Sequence, residues 1–159
     1  MASIKGITLK SIKEFQDREG DGAQGNVYMD GKKIGWYNNP ANGGCCDIDI
    51  FDKENQKIFN SRVESLFAEY PHEFEDEEIF FCILLMLFDL EKAYKKALKK
   101  GFSLIVTESV LHENNDAVEG AYFRVRYDGD LKDKDAICQK YGEDFKNPVA
   151  FTSLDDFNI

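Results

Sequence analysis

The chain has 159 residues, about one domain's length, and carries 30 acidic against 20 basic side chains for a formal net charge of −10. That balance leaves no net positive charge for a phosphate backbone or an anionic membrane surface, so direct binding to nucleic acid or membrane is not expected. A hydrophobic fraction of 43%, with 13 Phe and 7 Tyr, also excludes an acidic disordered tail, because such a composition can fill a core.

In chain order, Ile7 and Leu9 alternate with polar neighbours and predict a strand over residues 7–14. Residues 16–25 hold Asp17, Gly20, Asp21, Gly22 and Gly25 and read as a loop, with 20–25 as a flexible hairpin tip. Asp30-Gly31 lies between two strand-like runs, 26–29 and 34–37, and predicts a tight hairpin whose turn positions need positive φ. Residues 38–46 read as an irregular loop, with Pro40, Gly43 and Gly44. Residues 47–51 alternate cleanly as a further strand.

The middle is helical. Residues 57–70 place Ile58, Val63, Leu66, Phe67 and Tyr70 on one broad face, and Pro71 ends the helix. A longer helix is expected over 76–100 with Gly101 past its end. Acidic residues crowd its start and lysines its end, which complements the helix dipole. Two strands follow, at 102–110 and 121–127, joined by a polar loop over 112–120. A short helix at 132–141 and a strand at 149–151 come next, and 154–159 reads as a loose acidic tail.

This order predicts an α+β fold: an antiparallel β-sheet packed against a long central helix and a second helix. One domain over 1–159 is expected, built from a β-meander (1–51), a helical pair (52–101), and strands plus a short helix (102–159).

The charge is uneven. Residues 52–90 carry a net −7, residues 91–101 a net +4 and residues 102–159 a net −6. Glu73, Glu75, Asp76, Glu77 and Glu78 form the densest acidic run. It reads either as dipole compensation at a helix start or as a contact surface for a basic partner. Trp36 and Tyr37 precede the loop that holds Asn38, Asn39 and Asn42, which together suggest a recognition loop carried by a sheet. Asp47 and Asp49 share one side of their strand and read as a solvent-facing polar row.

Four cysteines, Cys45, Cys46, Cys82 and Cys138, lack a zinc spacing, and His72 and His112 lack metal-ligand spacing to each other. Residues 1–10 hold no apolar core, and the longest apolar run, 79–88, is too short to span a bilayer. These features predict a cytoplasmic protein with reduced thiols. The nucleophile-elbow, phosphate-loop and zinc-protease motifs are missing, so no catalytic residue, cofactor or metal is expected. One alternative stays open: a small thiol-dependent enzyme in which Cys45 or Cys46 pairs with His72 or His112.

The run from Gly25 through Asp30-Gly31 to Gly35, followed by Asn42, Gly43, Gly44, Cys45 and Cys46, resembles the opening β-meander of small phage and mobile-element accessory proteins. The likeness covers about the first third of the chain. In size and acidity the chain also resembles type II-A anti-CRISPR proteins of phages. That resemblance implies a non-enzymatic inhibitor in the bacterial host cytoplasm. It would bind the host CRISPR effector nuclease, or its guide-RNA complex, stoichiometrically and block DNA cleavage. It would do so by holding a nuclease domain or by occupying a basic surface. A phage regulatory module that binds another protein is the remaining alternative, and the oligomeric state is open.

Overall fold

The computed structural model of the protein describes residues 1–17, 20–42, 44–112 and 121–159. Its first sheet is antiparallel, in the order β1 (Ile7–Asp17), β2 (Gly20–Met29), β3 (Lys32–Asn39) and β4 (Asp47–Ile50). The Asp30-Gly31 turn forms as expected, with φ of 49° and 81° at its two central positions. Alternation buries Leu9, Val27, Tyr37 and Ile50 on one face, while Lys10, Asn26, Trp36 and Asp49 occupy the other.

Of the loop expected over 16–25, residues 16–17 and 20–25 are instead strand, and residues 18 and 19 lie outside the described residues. β1 continues to Asp17 and β2 begins at Gly20, with Phe15 paired to Gly22. The Phe15 ring covers Gly22 so closely that a Cβ there would overlap it. The glycine is present for close approach, which composition alone reads as a loop.

Helix α1 (Lys53–Glu69) starts a turn before the expected position 57. Asp52 is the reason: its carboxylate accepts from the N–H groups of Glu54 (3.1 Å) and Asn55 (2.8 Å) and caps the helix. Helix α2 (Glu77–Lys99) matches its expected span. Asp76 caps it by accepting from Ile79 N–H at 2.9 Å, and Gly101 follows its end at φ 77°.

The second sheet is also antiparallel, in the order β6 (Tyr122–Val125), β5 (Leu104–Glu108) and β7 (Pro148–Phe151). Helix α3 (Lys134–Tyr141) lies between β6 and β7 in the chain. The fold is therefore α+β, with both sheets antiparallel and α2 the longest helix. Of the loop expected over 112–120, only His112 lies among the described residues.

The main core joins the inner face of the first sheet to α1, α2, Ile105, Phe151 and Phe157. Phe59, Phe80 and Phe81 are fully buried at its centre, and Phe81 stacks on Tyr37 at 4.6 Å between ring centroids. Each such ring contributes roughly 1.5–3 kcal/mol by leaving water. A smaller cluster of Leu104, Val106, Val125, Ile137 and Ala150 fills the space between the second sheet and α3.

The C-terminal tail is docked, not loose. Residues Leu154–Phe157 form a 3₁₀ turn, and Phe157 is fully buried against Phe151 at 4.3 Å. Asp156 turns back to accept from the N–H groups of Thr152 and Ser153. Residues 3–5 then bond to residues 157–159 through Ser3 N–H to Phe157 O (2.9 Å), Ile159 N–H to Ser3 O (2.9 Å) and Lys5 N–H to Ile159 O (2.5 Å).

One buried charge anchors α2. Glu91, 2% exposed, accepts from Ala2 N–H (2.8 Å) and Lys95 Nζ (2.6 Å). Burial pushes its pKa up, but these donors outweigh burial and hold it below the ordinary carboxylate range.

Candidate interaction surfaces

The residues singled out from the sequence fall into four places: the core, the outer sheet face, the loop after β3 and the start of α2. Trp36 and Tyr37 separate across the sheet because neighbours on a strand point to opposite faces. Tyr37, 1% exposed, is core: it stacks on Phe81, and its hydroxyl lies 3.5 Å from Cys46 Sγ. Burial pushes the Tyr37 phenol well above its ordinary pKa. Trp36 is 38% exposed on the outer face, where its indole N–H donates to Asp49 Oδ2 at 3.0 Å. Asn38 shares that face and donates weakly to Asp47 Oδ2 at 3.4 Å.

Asn39 and Asn42 shape the loop after β3. The Asn39 amide oxygen accepts from Ala41 N–H at 3.2 Å, and the Asn42 amide oxygen from Gly44 N–H at 3.0 Å. Both are side-chain turns that hold the loop locally. Gly43 of that loop lies outside the described residues.

The acidic run divides by burial. Asp76 is occupied as the α2 cap. Glu77 turns towards α1 and accepts from Gln56 Nε2 at 3.1 Å, and burial pushes its pKa up. Glu78 sits beside Cys46 at the end of the β3–β4 loop, which brings the loop to the first turn of α2. Glu73 and Glu75 remain exposed. Between them stands Phe74, 64% exposed, the most exposed large hydrophobic side chain among the described residues. Its signal in the sequence is that an aromatic residue inside an acidic run and ahead of a helix cap has no place in an apolar repeat, and Phe74 is not among the site residues expected above.

The thiols are unequal. Cys45 is exposed, whereas Cys46 is half-buried, and burial pushes its thiol pKa up. A raised thiol supplies little thiolate near neutral pH. His72 Nδ1 lies 2.8 Å from Tyr70 O and the ring packs edge-on to Phe67, while His112 packs edge-on to Tyr70. The side chains that act most on Cys46 are Tyr37, Glu78 and Cys45. Among the described residues, no group of three or more His, Cys, Asp or Glu could hold a metal ion.

The lysines at the end of α2 are partly neutralised. Lys92 reaches Glu14 (2.7 Å) and Asp89 (3.0 Å), and Lys95 reaches Glu91. Lys96, Lys99 and Lys100 are exposed. No helix among the described residues is long and apolar enough to cross a membrane.

Together these features define a small α+β protein with an aromatic residue in an acidic setting at one end and a polar sheet face on one side. No family model, curated protein or solved structure matches the chain.

Proposed function

We propose that this chain is a non-catalytic protein-binding module that inhibits a type II RNA-guided effector nuclease, or its guide-RNA complex, in a bacterial host cell. The observation that carries the reading is Phe74, held in water between Glu73 and Glu75 directly ahead of the capped start of α2. An exposed aromatic side chain flanked in sequence by carboxylates suits a partner pocket that is apolar at its floor and basic at its rim. The raised Cys46 thiol weighs against a thiolate mechanism.

Docking through an apolar anchor favours holding a nuclease domain over imitating DNA. Imitation needs a continuous negative surface and a steep dependence on salt. Here the exposed Lys96, Lys99 and Lys100 interrupt such a surface at the far end of α2.

The test is a DNA-cleavage assay with type II effectors and added protein. Cleavage stops at a fixed molar ratio of inhibitor to effector and stays stopped as salt rises. Phe74→Glu raises the concentration needed by roughly 30-fold, as expected for a hot-spot residue worth about 2 kcal/mol. Undiminished cleavage at excess protein, or full potency of the Phe74→Glu variant, removes the proposal.

A further inference from the structure

On the outer face of the first sheet, strand register sets side chains in two parallel rows. In one row Lys13 stands opposite Gln24, Gln24 opposite Asn38, and Asn38 opposite Asp47. In the next, Lys10 stands opposite Asn26, Asn26 opposite Trp36, and Trp36 opposite Asp49. From β1 to β4 each row runs from a cation, through an amide and then an amide or indole, to a carboxylate. A shallow groove of about 610 Å³ crosses Lys13, Gln24, Asn26, Trp36 and Asn38.

We propose that this face docks on the same face of a second copy of the chain. Consider a half-turn about an axis that lies between the two faces and runs parallel to the strands. Each row then meets itself reversed. Lys10 faces the other copy's Asp49, Lys13 faces its Asp47, Trp36 faces its Asn26, and Gln24 faces its Asn38. A twofold interface requires a patch complementary to itself. A row with opposite charges at its two ends meets that requirement only when reversed, which this rotation achieves. The amides between them carry donors and acceptors together, so they pair in the same arrangement. A face of one charge sign would repel its copy. Lys33, opposite Tyr28 near the hairpin turn, is a further charge beside the two rows.

Four strands about 4.8 Å apart and two rows of side chains cover only a few hundred Å² on each copy, against roughly 800 Å² per partner in a standard interface. Association is therefore weak and concentration-dependent. The net charge of −10 on each copy opposes it, and physiological salt screens that repulsion beyond about 8 Å.

Sedimentation equilibrium of the full chain at physiological salt, from micromolar to millimolar, tests the proposal, with fluorescence of Trp36, the only tryptophan, read in parallel. The average mass rises from 18.2 kDa towards twice that value, and the indole emission shifts to the blue in step. The double variant Asp47→Lys with Asp49→Lys stays monomeric, as does Lys10→Asp with Lys13→Asp, yet an equimolar mixture of the two forms a one-to-one pair. A wild-type monomer at every concentration overturns the proposal and leaves the face to an unlike partner. It is equally overturned by variants that self-associate as wild type does, or by a mixture of folded variants that does not pair. Should circular dichroism show either variant unfolded, the wild-type series decides alone: constant Trp36 emission while the mass rises places the contact elsewhere.

Discussion

Gly35 is the residue on which β3 and β4 depend for their approach. A Cβ added there would fall on the carbonyl oxygen of Asp49, well inside the 3.0 Å that real Cβ atoms do not breach, and within 2.9 Å of Ile50 Cδ1. The clashing atom is backbone, so no side-chain rotation relieves it. In Gly35→Ala the two strands must part by about 1 Å to restore ordinary contact. That takes the nearest ladder hydrogen bonds from about 2.9 Å to lengths at which they no longer form. Loss of two or three bonds, each worth about 1 kcal/mol net, predicts a destabilisation of ~2–3 kcal/mol. For a chain of this size each kcal/mol lowers Tm by about 2–4 °C, so thermal unfolding should move down by roughly 4–12 °C. Urea denaturation gives the free energy, and hydrogen exchange gives its place: protection should fall first at Gly35, Trp36 and Asp49. A variant within about 0.5 kcal/mol of wild type, with β3–β4 protection unchanged, would refute the reasoning.

Two further perturbations follow from groups described above. Burial pushes the Asp156 carboxyl up, but Lys134 and the N–H groups of Thr152 and Ser153 outweigh it and hold it at about 2, below its ordinary 3.8. Its folded pKa lies below its unfolded one, so its stabilisation is present above pH ~4 and is lost as pH falls through about 2; the difference corresponds to ~2 kcal/mol. Asp156→Asn should lower stability near neutral pH by about that amount and flatten the loss between pH ~4 and ~2 in urea titrations; an unchanged pH slope contradicts this. Among the thiols, exposed Cys45 should be the first alkylated by iodoacetamide near neutral pH, ahead of Cys46 and Cys138, whose thiols burial pushes up. Peptide mapping by mass spectrometry reads the order, and equal labelling of Cys45 and Cys46 contradicts it.

Where local chemistry determines the outcome, the sequence carried the fold. Asp30-Gly31 demands a tight hairpin, and the acidic start and basic end of α2 mark its span to within a residue or two. Where a distant residue determines it, the sequence was mute. Gly22 looks like a loop glycine until the Phe15 ring lies over it. Asp155 and Asp156 look like a solvated tail, yet Phe157 inserts into the core and Asp156 bonds backward to Thr152. The candidate surfaces divide in the same way. Alternation alone tells that Trp36 and Tyr37 part company, but not which of the two is buried; Phe81, from α2, settles that. The five acidic residues around the start of α2 look equivalent in sequence. Gln56 from α1 and Cys46 from the β3–β4 loop distinguish Glu77 and Glu78 from Glu73 and Glu75.

The closure of residues 3–5 against 157–159 has a mechanical consequence. Ser3 and Asn158 pair in parallel, so the two segments run in the same direction. Tension applied at residues 1 and 159 pulls the segments past one another along their length. The bonds between Ser3 and Phe157, Ser3 and Ile159, and Lys5 and Ile159 then carry the load together and do not peel apart one at a time. The fold is clamped in shear at its ends, and a pulling force must break that clamp as a unit before it reaches either sheet.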